Sequence, residues 1–93
     1  MNVHLKFNGM PILYKTLKKK KEFVMEFPGK TLGDLIRELV KRFGTAMKNA
    51  LLDNKGNIDM EIRVVLNEKD YLIEDRMEKI LNNGDTLTFM GAS

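Results

Sequence analysis

Between Thr31 and Gly44, the residues Leu32, Leu35, Ile36, Leu39, Val40 and Phe43 recur at i, i+3, i+4, i+7, i+8 and i+11. That spacing places every one of these side chains on a single stripe of an α-helix. Thr31 stands three residues before Asp34, a capping-box spacing with Asp in place of Glu, and predicts the helix start. Gly44 follows the last apolar residue, where a left-handed glycine cap is expected. A helix with so broad an apolar face cannot bury it alone, so another layer of secondary structure must cover it.

The rest of the chain supplies that layer, because its apolar residues alternate with period two. Val3, Leu5 and Phe7 alternate with Asn2, His4 and Lys6 before Asn8-Gly9, and predict a half-buried strand and a turn. Phe23, Met25 and Phe27 alternate with Glu22, Val24 and Glu26 up to Pro28-Gly29, and predict a second strand. Met10 to Leu17 either extends one of these strands or forms a loop. Beyond the helix, Ala46 to Leu52 suits a short helical turn, and Asp53 to Asn57 is a polar turn or exposed loop. Met60, Ile62, Val64 and Leu66 predict a third strand over residues 58–66. Tyr71 to Ile73 suits a short fourth strand, Met77 to Leu81 a loop or single helical turn, and Asn82 to Asp85 a turn. Thr86 to Met90 then forms the last strand, with Leu87 and Phe89 on one face and Thr86, Thr88 and Met90 on the other.

The fold class this order predicts is α+β: a mixed sheet of four to five strands with one main helix packed on one face. A crossover runs from strand two through the helix to strand three. It is the element order of the β-grasp, or ubiquitin-like, fold. At 93 residues the chain has the length of one such domain, spanning residues 1–93.

Charge and composition narrow the function. Residues 1–30 carry seven lysines against two glutamates, and most of that excess is the run Lys18, Lys19, Lys20 and Lys21. The run has no arginine and no interleaved aromatic side chain, so a solvated turn or edge-strand entry accounts for it better than a nucleic-acid surface does. The sequence has no cysteine, which excludes disulfides, thiolate metal sites and cysteine catalysis, and suits a reducing compartment. No apolar run approaches the 18 or so residues of a membrane span, and Met1 to Gly9 is unlike a secretory signal. The reading is a cytoplasmic protein with neither nucleic-acid nor membrane partners.

The catalytic inventory is poor. The one serine, Ser93, and the one histidine, His4, lie in the last residue and the first strand, so no hydrolase triad is expected. Asp53, Asn54, Asn57 and Asp59 resemble parts of a calcium loop but lack its terminal bidentate Glu. Glu74, Asp75 and Glu78 suit an acidic surface loop. The glycines match no phosphate-cradling pattern, and no catalytic residue, metal site or cofactor is predicted. Of the seven methionines, Met25 and Met60 are expected to fill the core. Met90 faces the other way, and with Val65 it is expected to form a small apolar patch that docks a protein partner.

Three stretches together resemble a known family: Thr31-Leu32-Gly33-Asp34-Leu35-Ile36, Val64-Val65-Leu66-Asn67, and Leu81 through Met90 with its Asn82-Asn83-Gly84-Asp85 turn. In order and spacing they look like the ubiquitin-like sulfur carriers of the MoaD/ThiS-like family, typified by the small subunit of molybdopterin synthase. The resemblance implies a carrier and not an enzyme acting alone, with a Gly-Gly tail that enters an adenylating (E1-like) enzyme. There the terminal carboxylate is activated by ATP and receives sulfur as a thiocarboxylate, for delivery through a larger synthase subunit in molybdenum-cofactor or related biosynthesis. It also implies that Met90 helps seat the carrier on its partner, and that Gly91, Ala92 and Ser93 stand where the tail begins. This sequence has no Gly-Gly pair and three residues after Met90, a reach of about 10 Å at roughly 3.3 Å per residue. The alternative reading is therefore a non-catalytic ubiquitin-like protein-binding or accessory module that has lost sulfur transfer.

Overall fold

The computed structural model describes residues 1–91. Its strands are β1 (Asn2–Asn8), β2 (Glu22–Glu26), β3 (Arg63–Leu66), β4 (Asp70–Leu72) and β5 (Thr86–Met90), and its helices are α1 (Leu32–Phe43) and α2 (Thr45–Leu51). The strands form one five-stranded sheet in the order β2-β1-β5-β3-β4. β1 and β5 pair in parallel at its centre, and every other pair is antiparallel. It follows that β2 and β3 point the same way, so α1 does lie on a crossover between them, with β1 and β5 inserted between its two ends. This is the β-grasp architecture that the element order predicts.

α1 lies where its stripe dictates. Leu32, Leu35, Ile36 and Leu39 are fully buried against the inward side chains Val3, Leu5, Phe7, Leu87 and Phe89, while Val40 and Phe43 form the half-buried margin. The capping box is complete: Thr31 Oγ1 accepts from the Asp34 N–H at 3.1 Å, and Asp34 Oδ2 accepts from the N–H groups of Lys30 at 2.9 Å and Thr31 at 3.1 Å. Those backbone donors, Lys30 first and then Thr31, together with Arg37 at 2.6 Å, hold the Asp34 carboxyl well below the usual carboxylate range. Gly44 ends α1 with φ 77° and ψ −156°. The positive φ suits glycine, but the extended ψ corrects the expectation of a left-handed cap. The chain opens at once into α2, whose Met47 and Leu51 are fully buried.

Two segments depart from period-two expectations. The third strand begins at Arg63 and not at Ile58, and Met60 is 92% exposed, so its assignment to the core is overturned. Asp59 is the cause: its side chain accepts from the Glu61 N–H at 2.8 Å, and its carbonyl accepts from Ile62 N–H at 3.0 Å. This local turn competes with the ladder and swings Met60 outward. The Arg76 guanidinium braces the turn, donating to the carbonyls of Ile62 at 2.6 Å and of Ile58 and Asp59 at 3.0 Å. Met10 to Leu17 extends neither strand: a 3-10 turn at Pro11–Leu13 leads into further turns, and Leu13 and Leu17, four residues apart, both anchor in the core.

Candidate functional site

The sheet face opposite α1 carries the candidate partner surface, and the strand register fixes its layout. Thr88 on β5 pairs with Lys6 on β1 and Val65 on β3, and Val65 pairs in turn with Tyr71 on β4. One pleat further along β5, Met90 pairs with Asn8 and Arg63. Val65 and Met90 therefore share the outer face as diagonal neighbours, a relation that sets side chains about 7–8 Å apart. Their exposure differs. Val65 is only 5% exposed and Met90 is half-buried, whereas the open apolar surface on this face comes from Val24 and Tyr71, at 69% and 58%. Val24 falls on the same side of its strand as Glu22 and Glu26, and Tyr71 lies in a strand of three residues, so the sequence pattern marks neither as an exposed apolar side chain.

A charged frame borders the patch. Lys6 donates to Glu68, and each raises the other's preference for its charged form: the hydrogen bond pushes Lys6 up and Glu68 down from their ordinary values. His4 Nε2 lies 3.5 Å from Glu22 Oε1, so the histidine sits on the outer face opposite Val3 and Leu5, beside a carboxylate and not a nucleophile.

The turn into β5 joins two of the stretches that carry the family resemblance. Asn67, at the end of β3, adopts φ 52°, and its side chain spans to the other stretch. It donates to Asp85 Oδ1 at 3.1 Å and accepts from the Thr86 N–H at 2.8 Å. Asp85 Oδ2 accepts from the Asn82 N–H at 2.7 Å, so this buried carboxylate is satisfied on both oxygens. The strand-ending Asn and the Asn-Gly-Asp turn are thus one hydrogen-bonded unit that fixes where β5 begins.

At the other end of β5 lies the root of the tail. Phe89 stacks on Phe7 with ring centroids 5.2 Å apart, and the Gly91 N–H donates to the Asn8 carbonyl at 2.9 Å. Gly91 thus continues the parallel β1–β5 pairing by one bond. An open groove of about 460 Å³ runs beside it, lined by Gly9, Met10, Pro11 and Tyr14, with Lys20 and Lys21 at its rim. The tail residues Ala92 and Ser93 lie outside the described residues.

The remaining candidates resolve into local structure. Asp53 Oδ1 accepts from the N–H groups of Lys55 at 2.9 Å and Asn57 at 3.0 Å, which makes the calcium-like segment a side-chain-stabilised turn. Among the described residues no three His, Cys, Asp or Glu side chains converge as metal ligands would. Glu74, Asp75 and Glu78 are exposed around the 3-10 turn Arg76–Glu78. Lys18 to Lys21 are exposed, with Lys18 and Lys19 at φ 52° and 68° in the turn before β2. No described helix is long and apolar enough to cross a membrane.

Crystalline SAMP1 from Haloferax volcanii superposes with a TM-score of 0.78 at 17% identity, covering 100% of this chain and 97% of that one. CysO, in the Amycolatopsis orientalis BexX/CysO complex, gives 0.77 at 23% identity over 98% and 96% of the two chains. The solution structure of Urm1 from Trypanosoma brucei gives 0.76 at 22% identity over 99% and 92%. At these identities the likeness establishes the fold. No curated protein sequence matches the chain. The sequence model of one family does, over residues 2–92, and on that match the chain belongs to Urm1 (Ubiquitin related modifier), among the ubiquitin-like sulfur carriers.

Proposed function

We propose that the chain acts in the cytoplasm as one β-grasp domain over residues 1–93, carrying activated sulfur on its C-terminal tail for molybdenum-cofactor or related biosynthesis. The observation that carries this reading is the placement of Gly91: it leaves β5 directly after Met90, beside the outer face on which Val65 and Met90 stand. A partner seated on that face would meet the tail at its root. The chemistry asks nothing of the side chains, which suits a molecule with one histidine and no cysteine. The terminal carboxylate attacks the α-phosphorus of ATP inside an adenylating (E1-like) enzyme and pyrophosphate leaves; a sulfur donor then displaces AMP to give a thiocarboxylate, whose sulfur passes to an acceptor held by a larger synthase subunit or other protein.

One observation favours a second reading. The 93 residues contain no adjacent glycine pair, and backbone that carries Cβ atoms threads a narrow channel less readily than glycine does. In this reading the domain keeps the fold and docking face as an accessory module, without sulfur transfer.

Pyrophosphate release separates the two. With ATP and the adenylating enzyme of the same cell, a carrier makes release depend on its own presence, whereas an accessory module binds or stays idle without any release. The docking face is tested by Met90→Asp. Because Met90 is half-buried at a strand end, the variant should fold, yet a charge at the apolar centre of a contact should weaken the complex by about tenfold or more. Unchanged affinity in a folded variant would move the interface elsewhere.

A further inference from the structure

Gly91 and Gly9 meet through backbone alone. A Cβ on Gly91 would stand 2.2 Å from the Gly9 carbonyl oxygen and 3.0 Å from Met10 Cγ. The methionine could swing aside, but the carbonyl could not without moving the chain. A Cβ on Gly9 would in turn lie 3.2 Å from the Gly91 carbonyl oxygen, and Gly9 already occupies φ +64°, where L side chains are strained. Gly91 is not in that left-handed region, so it needs glycine for space and not for conformation.

The loop that Gly91 touches is firmly held. The Met10 carbonyl accepts from the Leu13 N–H at 3.0 Å, and Leu13 is buried in the core four residues beyond Gly9. On the other side, Asn8 is the last residue of β1 and accepts the Gly91 N–H at 2.9 Å. The root of the tail is therefore fixed on one side by a hydrogen bond and on the other by a backbone contact that tolerates no side chain.

We propose that Gly9 and Gly91 form a backbone clamp that sets the direction in which the tail leaves β5, which makes both of them positioning residues for adenylation. The proposal rests on the carrier reading. In the step it serves, an oxygen of the terminal carboxylate attacks the α-phosphorus of ATP held by the adenylating enzyme. The new acyl–phosphate bond forms as the bond to pyrophosphate breaks, and pyrophosphate leaves. Neither glycine touches these atoms. A shift at the root moves the point from which the terminal carboxylate has to reach the α-phosphorus, and a misplacement of about 1 Å at a reacting centre is enough to cost about 100-fold in rate.

The test uses Gly91→Ala, with Lys41→Ala on the exposed side of α1 as the control. Two readouts are taken: hydrogen exchange of the residue-91 amide in the free protein, and chain-dependent pyrophosphate release with the adenylating enzyme and ATP. Gly91→Ala should speed exchange at position 91 by about tenfold or more as the bond to Asn8 opens. It should also slow release by about 10- to 100-fold, with the urea midpoint close to that of the parent. Lys41→Ala should leave exchange at position 91 and the release rate unchanged. If Gly91→Ala fails to fold, Gly9→Ala, whose Cβ would approach the Gly91 carbonyl oxygen to 3.2 Å from a strained φ of +64°, should show the same two changes. Retained protection at position 91, or an unchanged release rate in a folded variant, overturns the clamp. If the parent chain itself supports no release, the carrier reading fails, and the exchange measurement still decides whether the clamp exists.

Discussion

Leu39→Ala measures how far the fold depends on the helix stripe. Leu39 is fully buried in the middle of α1, in one cluster with the inward side chains of β1 and β5. The substitution removes three buried carbons, which at about 0.8 kcal/mol each costs about 2.4 kcal/mol in transfer alone. A residual cavity of roughly 50 Å³ at about 24 cal/mol per Å³ adds about 1.2 kcal/mol, for a total near 3.6 kcal/mol, inside the usual span of about 2–5 kcal/mol. A domain of this length holds roughly 5–14 kcal/mol of stability, so the variant should remain folded at room temperature but lose a large share of its margin. Urea unfolding is the assay. The midpoint should drop with the slope unchanged, and the melting temperature should fall by roughly 15–25 °C. Lys41→Ala, on the exposed side of the same helix, should stay within about 0.5 kcal/mol of the parent. A loss at Leu39 no larger than that at Lys41 would refute the reasoning that α1 is held by its stripe.

Two further outcomes follow from the charges. Asp34 is held below its unfolded value near 3.8 by the N–H groups of Lys30 and Thr31 and by Arg37, so its contribution to stability is full above that value and is lost as pH falls through it toward the folded one. Asp34→Asn should therefore flatten the decline of the urea midpoint between about pH 5 and about pH 2, and equal declines in the two proteins would contradict the assignment. Lys18 to Lys21 should give only weak, salt-sensitive binding to RNA or DNA; sub-micromolar affinity at about 0.15 M salt, abolished by neutralising the four lysines, would restore a nucleic-acid reading.

What was legible in the sequence is what local spacing encodes. Thr31, Asp34 and the stripe from Leu32 to Phe43 specify α1 within one segment, and the cap and the burial both follow from it. The alternation in β1, β2, β3 and β5 fixed which side chains face inward, and so placed Val65 and Met90 on the outer face. Strand order was not legible in the same way, because the central β1–β5 pairing joins the two ends of the chain and leaves no local trace. Met60 shows the limit of period two: Met60 and Ile62 alternate with Glu61 as a strand would have them, but the Asp59 side chain offers the backbone a turn that the pattern does not register. The contact between Gly9 and Gly91 was out of reach for a similar reason. Each reads locally as a turn glycine, and only the folded sheet brings the two together.

The central claim is that the tail carries sulfur, and intact mass tests it most directly. The 93-residue chain and a form extended to end in Gly-Gly are each incubated with the adenylating enzyme of the same cell, ATP and a sulfur donor, and then weighed for one sulfur in place of one oxygen at the terminal carboxylate. The carrier account predicts that the extended form gains the sulfur, and gains it faster than the form without the Gly-Gly end because glycine threads a narrow channel more readily. If neither form gains sulfur while both remain folded, the carrier account is contradicted and the accessory module stands in its place.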